Sequence, residues 1–149
     1  MGNQRGTSLF EILIALAIVF IMAIIAYPNL KDYSQHQDLN NSSKEVIGSL
    51  KLAQQYTVTE QVKYSVKVDL LQNTYALYKK GNPDELIDSY TIADQVYFSQ
   101  VTGLQNDEAV FNPTGAVDYN GEIYLTHQAS GLATKIIIKP SGYVTWEKN

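Results

Sequence analysis

Glu11 is the residue most exposed to a chemical question in this sequence. It follows Leu9 and Phe10 and stands directly before sixteen uncharged residues, Ile12 to Tyr27. A carboxylate in a lipid-embedded helix costs something like 3 kcal/mol on insertion scales, so such a group usually has a partner. Other candidates for chemistry are sparse. His36 and His127 are the only histidines, and there is no cysteine. Thiol catalysis, thiolate-bound zinc and disulfide staples are therefore excluded. No phosphate-binding loop, nucleophile elbow, His-Glu-x-x-His or EF-hand spacing occurs. Asn106, Asp107 and Glu108 stand in a row, but a cation site needs ligands that converge on one point, and a solvated loop is the plainer reading. No catalytic residue, metal ligand or cofactor is expected, and the chain does not read as an enzyme.

A net charge of −4 argues against a polyanion as partner. Lys63, Lys67, Lys79 and Lys80 could gather on two neighbouring strands, and Trp146 could stack on a base. Without Arg5, the only arginine, ten lysines face fifteen acids, so nucleic acid is not an expected partner. Among the eleven tyrosines, Tyr64, Tyr75, Tyr97 and Tyr124 hold alternating strand positions and read first as sheet packing, with aromatic adhesion as the competing use.

The elements that would position these residues fall into two regimes. From Ile12 to Leu30 there are nineteen uncharged residues, enough at 1.5 Å per residue to cross roughly 30 Å of hydrocarbon. Arg5 on the short side favours a cytoplasmic N-terminus. A cleaved secretory signal fits less well, because Ala23-Ile24-Ile25-Ala26 has the wrong spacing for its processing site. Further on, Val46, Leu50, Ala53 and Thr57, with Ile47 beside them, mark one face of a helix. Asn40-Asn41 could interrupt it, and Ser42 or Ser43 could cap a new start. From Val62 the period drops to two: Val62, Tyr64, Val66, Val68 and Leu70 alternate with polar residues as in a half-buried strand. "NTYALYKKG", "YTIADQVYFS", "AVFNPTGAV", "GEIYLT" and a closing hairpin bent at Pro140-Ser141-Gly142 bring the total to seven or eight short strands.

Gly6-Thr7-Ser8-Leu9-Phe10-Glu11 and the apolar run behind it resemble the type IV prepilin signature. The resemblance implies that a prepilin peptidase cuts after Gly6, leaving Thr7 as the N-terminus, a position methylated in the family. Glu11 then becomes the fifth mature residue. It is expected to pair with the Thr7 amine of a neighbouring subunit and so to set the register of assembly, the best-attested use of a buried ion pair. Phenylalanine is usual at the first mature position, and Thr7 departs from it. Pro28 corresponds to the proline that commonly bends or loosens the helix of this family.

Beyond the membrane segment, "SLKLAQQYTVTEQ" leading into an alternating strand, then "FNPTG", "GEIYL" and "IIIKPSGYVTW", are similar to minor pilins and pseudopilins of the GspH/FimT type, including the related competence minor pilin of Gram-positive bacteria. The fold implied is α+β, a long N-terminal helix packed on an antiparallel β-sandwich. The expected divisions are a leader at 1–6, a helix at 7–60 that is transmembrane over about 9–30, and a β-rich head at 61–149. The expected partners are prepilin peptidase, other pilins or pseudopilins, and the cytoplasmic membrane. The chain would span that membrane once, N-terminus inside and head outside. The expected role is structural, in a type II secretion or type IV pilus-type filament. A competence pilin touching DNA and an adhesive pilin are the alternatives.

Overall fold

The computed structural model describes residues 9–148. They form one helix, α1 (Leu9–Glu60), and eight strands: β1 (Tyr64–Asp69), β2 (Thr74–Lys79), β3 (Glu85–Thr91), β4 (Val96–Thr102), β5 (Glu108–Phe111), β6 (Gly121–His127), β7 (Ala133–Ile138) and β8 (Val144–Lys148). The strands make two four-stranded sheets, ordered β3-β2-β1-β5 and β4-β6-β7-β8, with every pairing antiparallel. The expected α+β class, a long helix and two antiparallel sheets, is what the chain adopts. Two compact units divide between Ser34 and Gln35, inside α1. In the first, every residue from 9 to 34 whose side chain is described is exposed, the apolar ones included.

The second unit is built on one stripe of α1. Val46, Leu50, Ala53 and Thr57 are fully buried and Ile47 nearly so, as their spacing predicts. Leu39, Ser42 and Ser43 extend the stripe upstream, and α1 passes through Asn40-Asn41 unbroken. An interruption would have stripped this stretch of its packing, and burial outweighs the weak helix propensity of asparagine. The helix stops at Gln61, whose φ of 57° is left-handed and whose Nε2 donates to the Val58 carbonyl at 2.7 Å. Just before it, the Thr57 hydroxyl donates to the Ala53 carbonyl at 2.8 Å and accepts the Tyr64 N–H at 3.0 Å. Glu60 receives both the Tyr64 hydroxyl and Lys79 Nζ, each at 2.7 Å. The helix end is thus tied to β1 and β2.

In β1 the alternation holds: Tyr64, Val66 and Val68 face the core. Ser65 falls on the polar side of the pattern and is buried all the same. Its hydroxyl donates to Glu108 Oε1 at 2.5 Å, and Lys80 Nζ reaches the same oxygen at 3.0 Å, so the two long side chains close over it. The two sheets meet at Asn73, which has φ 55°. Its Nδ2 donates to the Val96 carbonyl at 2.8 Å and its Oδ1 accepts the Phe98 N–H at 2.9 Å, so one side chain satisfies two backbone groups of β4.

The "FNPTG" and "KPSGY" turns converge on the helix. Gln54 Nε2 donates to the Gly115 carbonyl at 2.6 Å, and Gly142, at φ 79°, lies against the same carbonyl. A Cβ at Gly142 would overlap that oxygen and stand 2.5 Å from Gln54 Nε2. Positive φ and the overlap together cost roughly 2–4 kcal/mol. Gly142→Ala should therefore lower the melting temperature of a fragment carrying residues 35–149 by about 10 °C or more, measured by circular dichroism. An unchanged transition would contradict the convergence.

The helix-end clamp also sets a pH dependence. The hydrogen bond from Lys79, helped by that from Tyr64, holds the Glu60 carboxyl below its ordinary value of 4.5. A lowered folded-state value contributes stability at higher pH and loses it as pH falls through that value. The melting temperature should drop below about pH 4.5, and Glu60→Gln should flatten part of that drop, as read from melting curves at stepped pH.

Candidate assembly surface

The residues expected to direct processing and assembly lie in the first unit. Gly6 and Thr7 fall outside the described residues. Glu11 sits in the first described turn of α1 and is exposed, among the exposed large side chains Leu9, Phe10, Ile12 and Leu13. Among the described residues, no single helix is long and apolar enough to cross a membrane. The segments Leu9–Ile25 and Leu30–Glu60 meet that length and composition only as a pair joined through a break at residues 26–29. Pro28 lies within that break.

In the second unit the four lysines singled out by sequence are brought to adjoining strands, yet three are matched to carboxylates. Lys63 pairs with Asp118 at 2.7 Å and Lys79 with Glu60 at 2.7 Å, while Lys80 pairs with Asp84 and, at 3.0 Å, with Glu108. Hydrogen bonding to Lys80 lowers the Asp84 carboxyl below its ordinary value. A phosphate backbone would have to compete with these carboxylates, so the group does not make the uncompensated cationic stripe that nucleic acid requires. Trp146 is half-buried against the core.

The Asn106–Glu108 row is divided by its own backbone. Asn106 and Asp107 take left-handed φ values of 56° and 57° in the turn, while Glu108 turns to Ser65 and Lys80. No group of three metal-ligating side chains converges among the described residues. His36 is exposed on α1. His127 is buried at the end of β6, its Nδ1 accepting the Ala129 N–H at 3.2 Å and its Nε2 standing 3.7 Å from Asp38 Oδ2.

The tyrosines split by position. Tyr64 and Tyr75 are core residues, Tyr75 packing edge-on to Phe98 at 6.1 Å and stacking with Tyr90 at 5.2 Å. Tyr124 is half-buried with its hydroxyl donating to Glu122, and Tyr97 is exposed. Sheet packing thus accounts for Tyr64 and Tyr75 and not for Tyr97.

Sequence reasoning did not single out Lys44, Gly48, Lys51 and Gln55. These are the exposed positions on the far side of α1 from the buried stripe. The signal was present: their spacing of four, three and four repeats that of Val46, Leu50, Ala53 and Thr57 on the opposite face.

No family profile and no characterised protein matches the chain by sequence. Solved structures do match it by fold. The minor pseudopilin EpsH from the Type 2 Secretion System of Vibrio cholerae is similar over 74% of this chain and 97% of its own, with a TM-score of 0.64 at 9% identity. The type IV minor pilin FimU of Pseudomonas aeruginosa (strain PAO1) is similar over 77% of this chain and 92% of its own, with a TM-score of 0.60 at 11% identity. With its long N-terminal helix and two antiparallel sheets, the chain has the GspH/FimU-type minor pilin fold.

Proposed function

We propose that the protein is a structural, non-enzymatic subunit of a pilin-like filament, a minor pilin or pseudopilin held in the cytoplasmic membrane by the first part of α1. The observation that carries this reading is the pairing of a minor-pilin fold with a helical segment, Leu9–Ile25, that is exposed, apolar and charged only at Glu11. Left in water, that many large apolar side chains would drive association, since each exposes surface worth about 2 kcal/mol on burial. Lipid covers them before assembly, and neighbouring subunits cover them in the filament.

Processing by prepilin peptidase after Gly6 makes Thr7 the N-terminus and a candidate for N-methylation. The Glu11 carboxylate pairs with the Thr7 amine of the next subunit. Pro28 lacks the N–H that would bond to the carbonyl of residue 24, which loosens the helix at the end of the embedded segment. Contact with DNA draws less support, because Lys63, Lys79 and Lys80 are already paired with carboxylates.

Two experiments test the reading. N-terminal sequencing of membrane-extracted protein should begin at Thr7, and bulky substitutions of Gly6 should block processing. A start near Tyr27 would instead identify a cleaved secretory signal and overturn the assignment. Glu11→Ala should leave cleavage and insertion intact while abolishing crosslinking to neighbouring pilins. The neighbour's amine would then stay uncompensated in an apolar setting, at a cost of about 3–5 kcal/mol. Wild-type crosslinking in that variant would remove Glu11 from the assembly contact.

A further inference from the structure

Within the second unit, the buried side of α1 changes character near Lys44. Downstream it is carried by Val46, Ile47, Leu50 and Ala53. Its polar members there are matched: Thr57 bonds to the Ala53 carbonyl and the Tyr64 N–H, and Ser49 shares a hydrogen bond with the Tyr75 hydroxyl. Upstream, from residue 35 to residue 43, the buried side chains are Gln35, Leu39, Ser42 and Ser43, so one large apolar group holds this stretch down. Among the described residues, the hydroxyls of Ser42 and Ser43 and Asn40 Oδ1 are buried with no hydrogen-bond partner.

A hydroxyl that leaves water and finds no partner opposes its own burial. Three such atoms stand against the burial of Leu39. The polar approach to a strand at this end is long. His127 Nε2 stands 3.7 Å from Asp38 Oδ2, beyond hydrogen-bond length, and His127 Nδ1 is already engaged by the Ala129 N–H. Downstream, Gln54 reaches the Gly115 carbonyl at 2.6 Å, Thr57 the Tyr64 N–H at 3.0 Å and Glu60 the Lys79 Nζ at 2.7 Å. One end of the docked helix is tied to the head, and the other rests on it.

We propose that residues 35–43 of α1 form a strap that lifts from the sheets as one piece while residues 46–60 stay docked. The point at which the helix departs from the head then moves from Gln35 to about Lys44. Lifting gives up the burial of one leucine and returns three polar atoms to water. It breaks no turn of the helix, because α1 is continuous through this stretch. Such local opening draws on less free energy than unfolding of the core and so occurs more often. It bares Leu39 and the surface beneath it, a patch of the head that is closed in the docked state. The inference concerns the second unit alone and does not depend on the filament reading.

The chain has no cysteine, so an introduced thiol reports the opening of its own site. Full-length protein in detergent micelles carries one cysteine at a time, Ser42→Cys, Ser43→Cys or Val46→Cys, each at a position no more than 1% exposed. Each variant is labelled with a maleimide without denaturant, and its rate is divided by that of the same thiol in the unfolded chain. Ser42→Cys and Ser43→Cys should react alike, and about tenfold or more faster than Val46→Cys, which opens only with the core. Low urea should accelerate Val46→Cys more than the other two, because global opening exposes more surface. Adding Ser42→Ala to Ser43→Cys should slow labelling, since alanine removes an unpaired hydroxyl from the docked state. Equal rates at all three positions, unlike rates at Ser42→Cys and Ser43→Cys, or faster labelling with Ser42→Ala overturns the proposal. Circular-dichroism melts of the same variants separate local from global effects: strap labelling that merely follows a loss of global stability also overturns it.

Discussion

One stripe of α1 has to be covered by both sheets, and the rest of the head follows from that constraint. Val46, Leu50, Ala53 and Thr57 are fully buried in the same core as Val66, Phe111, Ile123 and Ile136, which come from both sheets. A rotation of the helix by one residue position, about 100°, would bring Leu50 toward water and forfeit about 2 kcal/mol for that side chain alone. The rotational setting of the helix is therefore fixed, and with it the opposite face of Lys44, Gly48, Lys51 and Gln55. The core decides which residues face outward. The small residues Ser42, Ser43, Ser49 and Ala53 are buried along the same side of the helix.

The helix, the first strand and the turns were legible in the sequence because each depends on local periodicity. The 3.6-residue recurrence around Leu50, the alternation from Tyr64 to Val68 and the bend before Gly142 are short-range patterns. β3 was not legible over its full length: only "YT" fell in a segment read as strand, and "ELIDS" did not. It is an edge strand, exposed at nearly every position, with a register shift opposite Leu77 and Tyr78, so no single face was buried enough to leave a period. The burial of Ser65 depends on Glu108, 43 residues away, and no local pattern carries it.

The candidate site was legible in the same uneven way. Placing Lys63 and Lys80 together was sound, since the Lys80 N–H bonds to the Lys63 carbonyl at 2.9 Å. Their net effect was hidden, because Asp118 and Glu108 arrive from distant segments to neutralise them. Charge counted along a chain says how much cation is present, while the fold decides how much stays available to a partner. Here the fold leaves Lys44 and Lys51 unpaired on a helix face where simple counting gave them no prominence.

Asn73 carries a liability of a different kind. Its amide both donates to the Val96 carbonyl and accepts from the Phe98 N–H, so it serves β4 as a surrogate strand residue. Only the carboxamide has this combination; a carboxylate of the same shape can accept but not donate. Hydrolytic deamidation of Asn73 would set a negative oxygen against the Val96 carbonyl while barely changing the outline of the side chain. The seam between the sheets would then be open to chemical ageing at one atom. A long-lived population of the folded protein would accumulate such damage in its older molecules, independently of any proteolysis or unfolding.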